Sequence, residues 1–267
     1  MWLNDEYVND VAIANYRQSL LRACPNHIVI DGLFNEAKLD EVVGVLQQPD
    51  QWKTQQHTYS ALYVDNTQWQ NTSQNERFVQ RDIWQRGTES CGDREPDSES
   101  DKKSNEVSAN VNVAQEFLSF LRGDEFMSLL SRMFAVPLTD INVAEPSINT
   151  NYFRLAPTDF VEQHADDSPG REVCMLLYLN KDWSSKAGGE LSFLGPNAKT
   201  SVEKIVENSV EKDLDKDSHN SITIAPLYNR CVLFDPSSTG SEHWVEKLHA
   251  EYANQYRYNV TSWYWAE

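Results

Sequence analysis

His164 and Asp166 are the residues of this 267-residue chain whose types and spacing first suggest chemistry. In an extended strand, side chains two residues apart point to the same face, so one imidazole and one carboxylate can reach a common point. Such a pair supplies two ligands for a divalent metal, and a reactive metal site needs at least a third. The spacing therefore predicts part of a metal centre and requires another ligand from elsewhere in the chain.

The candidates for the third ligand are the other histidines. His243 lies in CVLFDPSSTGSEHWV, after an apolar strand, a Pro turn and a small-residue loop, and the residues that follow indicate re-entry into a strand. His249 has a more polar context, so we favour His243. The less favoured histidines are His219, in an acidic stretch, and His27 and His57, which precede the strand-rich half of the chain.

Two histidines and one carboxylate on one face of a metal leave its opposite face open. That arrangement is expected of a non-haem Fe(II) oxygenase. Zn(II) competes for the same ligands, although catalytic zinc more often has ligands on a helix, as in HExxH, which is absent from this sequence.

The elements that must position these ligands change character along the chain. Two segments with helical apolar spacing flank a short strand signal, HIVIDGLF, within the first 46 residues. Residues 59–64 and 77–84 have the composition of strands, and residues 113–134 predict two amphipathic helices with a break near Gly123. The first half is therefore helix-rich with some strand.

The second half carries short runs of β-branched and aromatic residues, separated by Pro, Gly, Asn and Asp. These runs are INTNYFRLA, EVCMLLYL, GELSFLG, SITIAP, CVLFDP and YNVTSWYW. They predict an antiparallel barrel or double-sheet jelly roll, and the fold class is α+β, with the N-terminal helices packed on one face. We expect a single domain over 1–267, with a helix-rich part over 1–140 and the barrel core over 141–267.

Charge and cysteine usage exclude several classes of function. A formal net charge of −18 makes nucleic acid an improbable partner, because phosphates are bound mainly by Lys and Arg. Much of the acid lies at 88–106 and 201–220, predicted as solvated loops, the second with a possible short helix. The four cysteines form no CxxC pair, no apolar stretch approaches a membrane span, and the N-terminus is unlike a signal peptide. We expect a cytoplasmic protein with reduced thiols and no membrane partner.

Six ordered motifs together resemble the prolyl hydroxylase (prolyl 4-hydroxylase-like) branch of the 2-oxoglutarate and Fe(II)-dependent oxygenases. In chain order they are HxD at His164, YLNKDW, GGEL, a strand ending in FDP, HWV at His243, and RYNVTSWYW from Arg257. The resemblance covers about residues 150–265. It implies a double-stranded β-helix (jelly-roll or cupin-like barrel) with Fe(II), 2-oxoglutarate and O2 inside, and ascorbate as reductant.

The same resemblance implies roles for particular residues. Fe(II) would be held by His164, Asp166 and His243. Arg257 would pair with the distal carboxylate of 2-oxoglutarate, since a guanidinium binds carboxylates bidentately and stays charged. These four residues form the expected catalytic set: His164, Asp166, His243 and Arg257.

Three further residues resemble cosubstrate-binding positions of the family. Tyr178 matches a tyrosine whose hydroxyl hydrogen-bonds 2-oxoglutarate, Leu191 would line its pocket, and Tyr152 resembles a pocket tyrosine near the iron. We expect Trp183 and Trp263 to serve packing.

The interval between His243 and Arg257 is longer than the family usually has. The extra residues are either a small insertion or a sign that His249, closer to Arg257, is the ligand. The HxV pattern at His243 favours the first explanation.

The resemblance favours hydroxylation of a prolyl residue in a protein or peptide. An acidic rim would favour a basic polypeptide through long-range steering. Two alternatives stay open: a hydroxylase of a free amino acid or small metabolite, which a charged anchor pocket would favour, and a metal-binding sensor barrel without turnover.

Overall fold

The computed structural model describes residues 1–86, 112–141, 143, 145–195, 221–252 and 255–266. The two acidic segments predicted as loops, and His219 with them, lie outside the described residues. Within the described part of the chain, no helix is long and apolar enough to cross a membrane.

In the described part of the chain, the α-helices lie in the first half. In the described residues they are α1 (Asp10–Arg22), α2 (Glu36–Leu46), α3 (Asn66–Asn71), α4 (Val113–Leu121) and α5 (Asp124–Phe134). A polar side chain caps most of their N-termini; Asn112, for example, accepts from the backbone N–H of Gln115 at 3.0 Å. The predicted break between two helices is confirmed, because Gly123 is the N-cap of α5.

The strands form one curled antiparallel sheet. They are β1 (His27–Asp31), β2 (Trp52–Thr58), β3 (Arg77–Trp84), β4 (Leu138–Thr139), β5 (Thr150–Leu155), β6 (Phe160–His164), β7 (Arg171–Tyr178), β8 (Leu191–Phe193), β9 (Ile222–Ile224), β10 (Arg230–Phe234), β11 (His243–Val245) and β12 (Arg257–Ala266). Their order is β1-β10-β7-β12-β5-β3-β6-β11-β8-β9, with β2 on β3 and β4 on β12. This α+β architecture confirms the predicted fold class.

One predicted strand is wrong. Residues 59–64 lie in the connection after β2, and the strand itself occupies Trp52–Thr58. Tyr63 has φ 61°, a left-handed conformation that a strand cannot continue through. The aromatic composition of 59–64 therefore reflects side chains on a loop, with Tyr59 61 % and Tyr63 71 % exposed.

The sheet has two differently covered faces. On β12, Val260 and Tyr264 point toward α4 and α5 and belong to a large apolar core with Phe117 and Phe126. That core stabilises the layer strongly, since truncating one buried Phe to Ala typically costs about 3–5 kcal/mol. The alternate residues of β12 face the concave interior of the curled sheet and begin with Arg257.

Candidate metal centre

Three ligand side chains converge inside the curled sheet. Among the described residues, one potential ligand atom from each of His164, Asp166 and His243 lies within 4.8 Å of the others. The convergence follows from strand pairing, since β11 lies beside β6 with His243 opposite His164. Asp166 lies two residues beyond the end of β6, so it approaches the point from a loop rather than from a strand as predicted.

Both imidazoles are oriented for metal binding through the same ring nitrogen. His164 Nδ1 is 2.8 Å from the carbonyl oxygen of Glu162, and His243 Nδ1 is 3.0 Å from that of Ser241. An N–H donated from Nδ1 leaves the lone pair of Nε2 free for a metal. Burial, followed by the neighbouring His164, lowers the pKa of His243 to about 4, which keeps it neutral at physiological pH.

The Asp166 carboxylate is held by donors from three directions. Arg171 donates to its Oδ1 at 3.1 Å, Trp263 Nε1 to its Oδ2 at 2.7 Å, and Cys174 Sγ lies 3.7 Å from Oδ2. Burial alone would raise its pKa, but the two histidines, Arg171 and Trp263 outweigh burial and lower the pKa to about 2. The group is therefore an oriented, charged ligand, and Trp263 does more than the expected packing.

Arg257 lies at the other end of the interior, at the start of β12. Its side chain is 1 % exposed, and its Nη1 donates to Asn259 Oδ1 at 3.1 Å. Its Nε and Nη2 are buried without a hydrogen-bond partner, and so is the hydroxyl of Tyr178, over whose ring the guanidinium lies at 4.9 Å. Buried donors are rarely left unpaired, so these atoms fit an anionic ligand such as the distal carboxylate of 2-oxoglutarate.

The two glycines of the GGEL motif make room for this arginine. Gly188 and Gly189 both have φ +79°, a conformation that side chains rarely adopt. A Cβ on Gly189 would lie 2.8 Å from Arg257 Cδ, and one on Gly188 would lie 2.1 Å from the carbonyl oxygen of Lys247. The motif is therefore explained by close packing of the loop against Arg257 and its neighbours.

The remaining predicted residues are distributed between the two faces. Leu191 is fully buried in an interior cluster with Tyr178 and Phe193, as expected for a pocket wall. Tyr152 is on the opposite face, where its hydroxyl donates to the carbonyl of Ala114 in α4 at 2.9 Å and its ring packs against Trp84. The structure therefore does not bring Tyr152 together with the metal ligands.

The alternative histidine ligands lie away from the convergence point. His249 is exposed and lines a surface groove with Glu162 and Glu190. His27 is bonded through Nδ1 to the carbonyl oxygen of Pro25, and its ring is 5.4 Å from that of Phe193. The geometry thus favours His243 over both.

Sequence reasoning missed the charged groups of the interior. Arg171 follows Asp166 by five residues, and Trp263 contacts the same carboxylate from β12, a pairing that only the adjacency of β7 and β12 creates. Arg81 and His57, on β3 and β2, also face the interior. The sequence signal for them is weak: polar residues occur on both faces of β2 and β3, so alternation does not show which face is buried.

The fold and the site together define a class. An antiparallel barrel with two histidines and one carboxylate at one point, and unpaired arginine donors deeper inside, is the arrangement of an oxygenase that uses Fe(II) and 2-oxoglutarate. Residues 150–265 match the family model described as the 2OG-Fe(II) oxygenase superfamily. This part of the chain, somewhat less than half of it, is therefore similar to that superfamily.

One curated relative is similar over part of its length. Prolyl 3-hydroxylase OGFOD1 of Mus musculus is 23 % identical over 142 residues, which are 53 % of this chain but 22 % of the mouse protein. The chain thus matches less than a quarter of that relative.

Solved structures of similar fold include several prolyl hydroxylases. A Pseudomonas putida prolyl-4-hydroxylase has a TM-score of 0.53 and 13 % identity, covering 96 % of this chain and 99 % of its own. A Trichoplax adhaerens prolyl hydroxylase in complex with a hypoxia inducible factor peptide fragment has a TM-score of 0.55 and 15 % identity, covering 98 % and 96 %. At these identities the likeness concerns the fold.

Proposed function

We propose that the protein is an Fe(II)- and 2-oxoglutarate-dependent dioxygenase that hydroxylates an unactivated C–H bond, in the first place on a prolyl residue of a protein or peptide. The observation that carries the proposal is the pairing of a three-ligand cluster with an anion site inside one barrel. His164, Asp166 and His243 form the cluster, and the unpartnered donors of Arg257 form the anion site. A metal-binding sensor would have no use for a buried arginine whose Nε and Nη2 lack an acceptor.

The metal would be held by three ligand side chains that already converge at one point. Fe(II), when bound with 2-oxoglutarate, supplies the oxidising chemistry that activates O2 for insertion of oxygen into a C–H bond. His243 and His164 would each offer Nε2, and Asp166 would offer a carboxylate oxygen. Arg171 and Trp263 keep that carboxylate ionised and oriented through their hydrogen bonds.

The cosubstrate would be anchored at the closed end of the barrel. Arg257 would bind the distal carboxylate through its free N–H groups, and the Tyr178 hydroxyl would donate a further hydrogen bond. Leu191 would supply an apolar wall beside the chain of the cosubstrate. Enclosure of Arg257 excludes water, which strengthens this charge pairing.

Two observations support a polypeptide substrate. The loop after β2 presents Tyr59, Leu62 and Tyr63 to solvent, all more than 60 % exposed. Tyr59 packs on Phe78, whose ring lies 5.2 Å from that of His164, so this apolar loop borders the metal end of the barrel. The Trichoplax adhaerens structure of similar fold contains a peptide.

The direct test is turnover of the purified protein. With Fe(II), ascorbate, O2 and 2-oxoglutarate we expect succinate to form, because uncoupled or substrate-driven turnover both release it. His243→Ala should reduce the rate at least a hundredfold by removing a metal ligand, whereas the matched variant His249→Ala should keep it within about twofold. Equal loss in both variants, or in neither, would refute the ligand set.

The residue that is hydroxylated is identified by mass spectrometry. Incubation with an extract of cellular proteins should add one oxygen to proline in one or a few polypeptides. Hydroxylation of a free amino acid instead would establish the second candidate function. That candidate is favoured by one observation, the charged side chain of Arg81 inside the barrel.

A further inference from the structure

The hairpin of β2 and β3 lines part of the barrel interior with polar side chains. In its register Gln55 is opposite Arg81 and His57 is opposite Val79, so these four residues share one face. Val79 belongs to the interior apolar cluster that contains Leu155. The face is therefore directed into the barrel, although nothing in the proposed binding of iron or 2-oxoglutarate uses its polar groups.

Arg81 has a fixed guanidinium with unused donors. The guanidinium is stacked on the ring of Phe153 at 3.5 Å, which sets its plane, and its Nε donates to Gln55 Oε1 at 3.1 Å. Among the described residues no carboxylate lies within 4.0 Å of it, and its terminal amino groups have no acceptor. By contrast, Arg154 on the neighbouring strand is paired with Asp82 at 2.9 Å.

His57 provides a second, independent polar group on the same face. Its ring is 8 % exposed, and its Nε2 is buried with no hydrogen-bond partner. Tyr63 covers the ring with a centroid distance of 4.8 Å. A buried ring nitrogen without a partner normally loses about 1–3 kcal/mol of solvation, so its retention points to a partner that arrives from outside.

This polar group lies beside the reaction centre. The charge of Arg81 interacts with Asp166 and with Arg257, and burial lowers its pKa to about 10. The strand that carries it also carries Phe78, which packs against the ring of His164. Arg81 therefore lies on the interior face of a strand that also contacts the candidate metal ligand His164, the end of the barrel that a substrate of the metal would approach.

The charges of the interior do not balance without a further anion. A divalent metal and a 2-oxoglutarate dianion cancel each other and Arg171 balances Asp166, so that among these groups Arg257 already leaves one positive charge in excess. Arg81, which is partly buried, adds a second excess cation, and an anionic ligand would compensate it. We propose that Arg81, supported by Gln55 and His57, binds a carboxylate of the substrate close to the hydroxylated carbon.

The proposal rests on the proposed function for the reaction and names the class of its substrate. The carboxylate can come from an acidic side chain next to the hydroxylated residue of a polypeptide, or from the main-chain carboxylate of a free amino acid. Both would pair with the fork of Arg81 in the same way. A basic polypeptide, as the net charge predicts, remains compatible provided that it carries one acidic group at this position.

The test measures carboxylate binding rather than turnover. The full chain, loaded with Zn(II) and saturated with 2-oxoglutarate, is unfolded thermally while acetate or its neutral analogue acetamide is added at constant ionic strength. We expect acetate to raise the midpoint and acetamide to have no effect, since a ligand stabilises the state that binds it. Arg81→Gln should remove the acetate effect, and the matched variant Arg77→Gln, on the same strand, should retain it.

Two pairs of probes then separate the sources of the carboxylate. N-acetyl-prolyl-aspartate amide is compared with the asparagine analogue, and L-proline is compared with L-prolinamide. In the pair that fits, the member with the carboxylate should bind at least tenfold more tightly, and Arg81→Gln should reduce that ratio to about twofold or less. The first pair would indicate an acidic polypeptide site and the second a free amino acid.

Three results would overturn the proposal. The first is the absence of any acetate effect that depends on Arg81. The second is a fall in the 2-oxoglutarate affinity of Arg81→Gln as large as the loss of acetate binding, which would assign the residue to the cosubstrate. The third is a fall of more than about 5 °C in the unliganded midpoint of both Arg81→Gln and Arg81→Lys, which would assign it to packing.

A failure of the Arg81 proposal can be distinguished from a failure of the proposed function. If 2-oxoglutarate does not bind and no succinate forms, the proposed function fails, yet an acetate effect lost in Arg81→Gln would still show an anion site. If succinate forms but no acetate effect depends on Arg81, only the inference about the substrate fails.

Discussion

Three fully buried tyrosines show how differently the two faces of the sheet are completed. On the helix side, the hydroxyl of Tyr152 donates to the carbonyl of Ala114, and that of Tyr264 donates to the carbonyl of Leu121 at 3.0 Å. On the interior side, the hydroxyl of Tyr178 has no partner. The same residue type, equally buried, is thus satisfied by the fold on one face and left unsatisfied on the other.

The difference extends beyond the tyrosines. The helix-side core is largely apolar, and Trp84 Nε1 is its one buried polar side-chain atom without a partner among the described residues, whereas the interior holds such atoms on His57, Arg257 and Tyr178. An unpaired buried donor costs about 1–3 kcal/mol of stability. The fold therefore leaves more polar groups without partners in the interior than on the helix side, as the proposed binding of ligands in the interior requires.

The strongest test of this contrast replaces the cosubstrate anchor. Arg257→Met should weaken 2-oxoglutarate binding about a hundredfold or more, because two charge-assisted hydrogen bonds at about 1.5–3 kcal/mol each are lost. It should not lower the free energy of unfolding without ligand, since a buried unpaired charge is replaced by an apolar side chain. Equilibrium binding and urea unfolding measure the two effects.

The matched control is Arg154→Met, which removes an arginine that is paired with Asp82. We expect it to lower stability and to leave 2-oxoglutarate binding unchanged. If both variants lose stability equally and both keep their cosubstrate affinity, Arg257 is a structural residue and the contrast between the faces is lost.

A smaller effect is expected from the interior histidine when pH is varied. Burial, and then the charge of Arg81, lower the pKa of His57 from 6.5 to about 4. The unfolded chain therefore binds a proton more readily between these values. The contribution of His57 to the free energy of unfolding is fully present above about pH 6.5, where the ring is neutral in both states. It falls by up to about 3 kcal/mol as the pH decreases toward 4, because the unfolded chain takes up the proton first.

The measurement compares urea unfolding of the wild type and His57→Gln from pH 7.5 to pH 4.5. The variant should lose less stability over this interval, and the exposed His249→Gln should follow the wild-type curve. Parallel curves for His57→Gln and wild type would show that the buried ring does not contribute to acid sensitivity.

The smallest effects are expected when a tyrosine on each face of the sheet is replaced by phenylalanine. Tyr264→Phe should lower the free energy of unfolding by about 1–2 kcal/mol, because the carbonyl of Leu121 loses its donor. Tyr178→Phe should leave stability unchanged and raise the KM for 2-oxoglutarate about two- to tenfold. Thermal unfolding and succinate kinetics distinguish the two, and a loss of stability in Tyr178→Phe alone would reverse the assignment.

The sequence alone determined much of the fold and of the candidate metal site. Helical apolar spacing located α1, α2, α4 and α5, and strand composition located most of the barrel, because both patterns follow directly from which face is buried. The motifs at His164, Asp166 and His243 predicted three ligands that the structure brings together. Local composition misplaced the strand at 59–64, where aromatic residues occupy a loop, and Asp166 lies on a loop rather than on the predicted strand.

The tertiary structure decided what surrounds those ligands. Trp263 and Arg171 contact Asp166 because β7 pairs with β12, and Tyr152 faces α4 because alternation along β5 sets its direction. Arg81 becomes an interior cation only when β3 joins the barrel beside β5. Spacing along a chain reports which residues share a face, but the partner on the next strand is fixed by the register, and register is a property of the folded sheet.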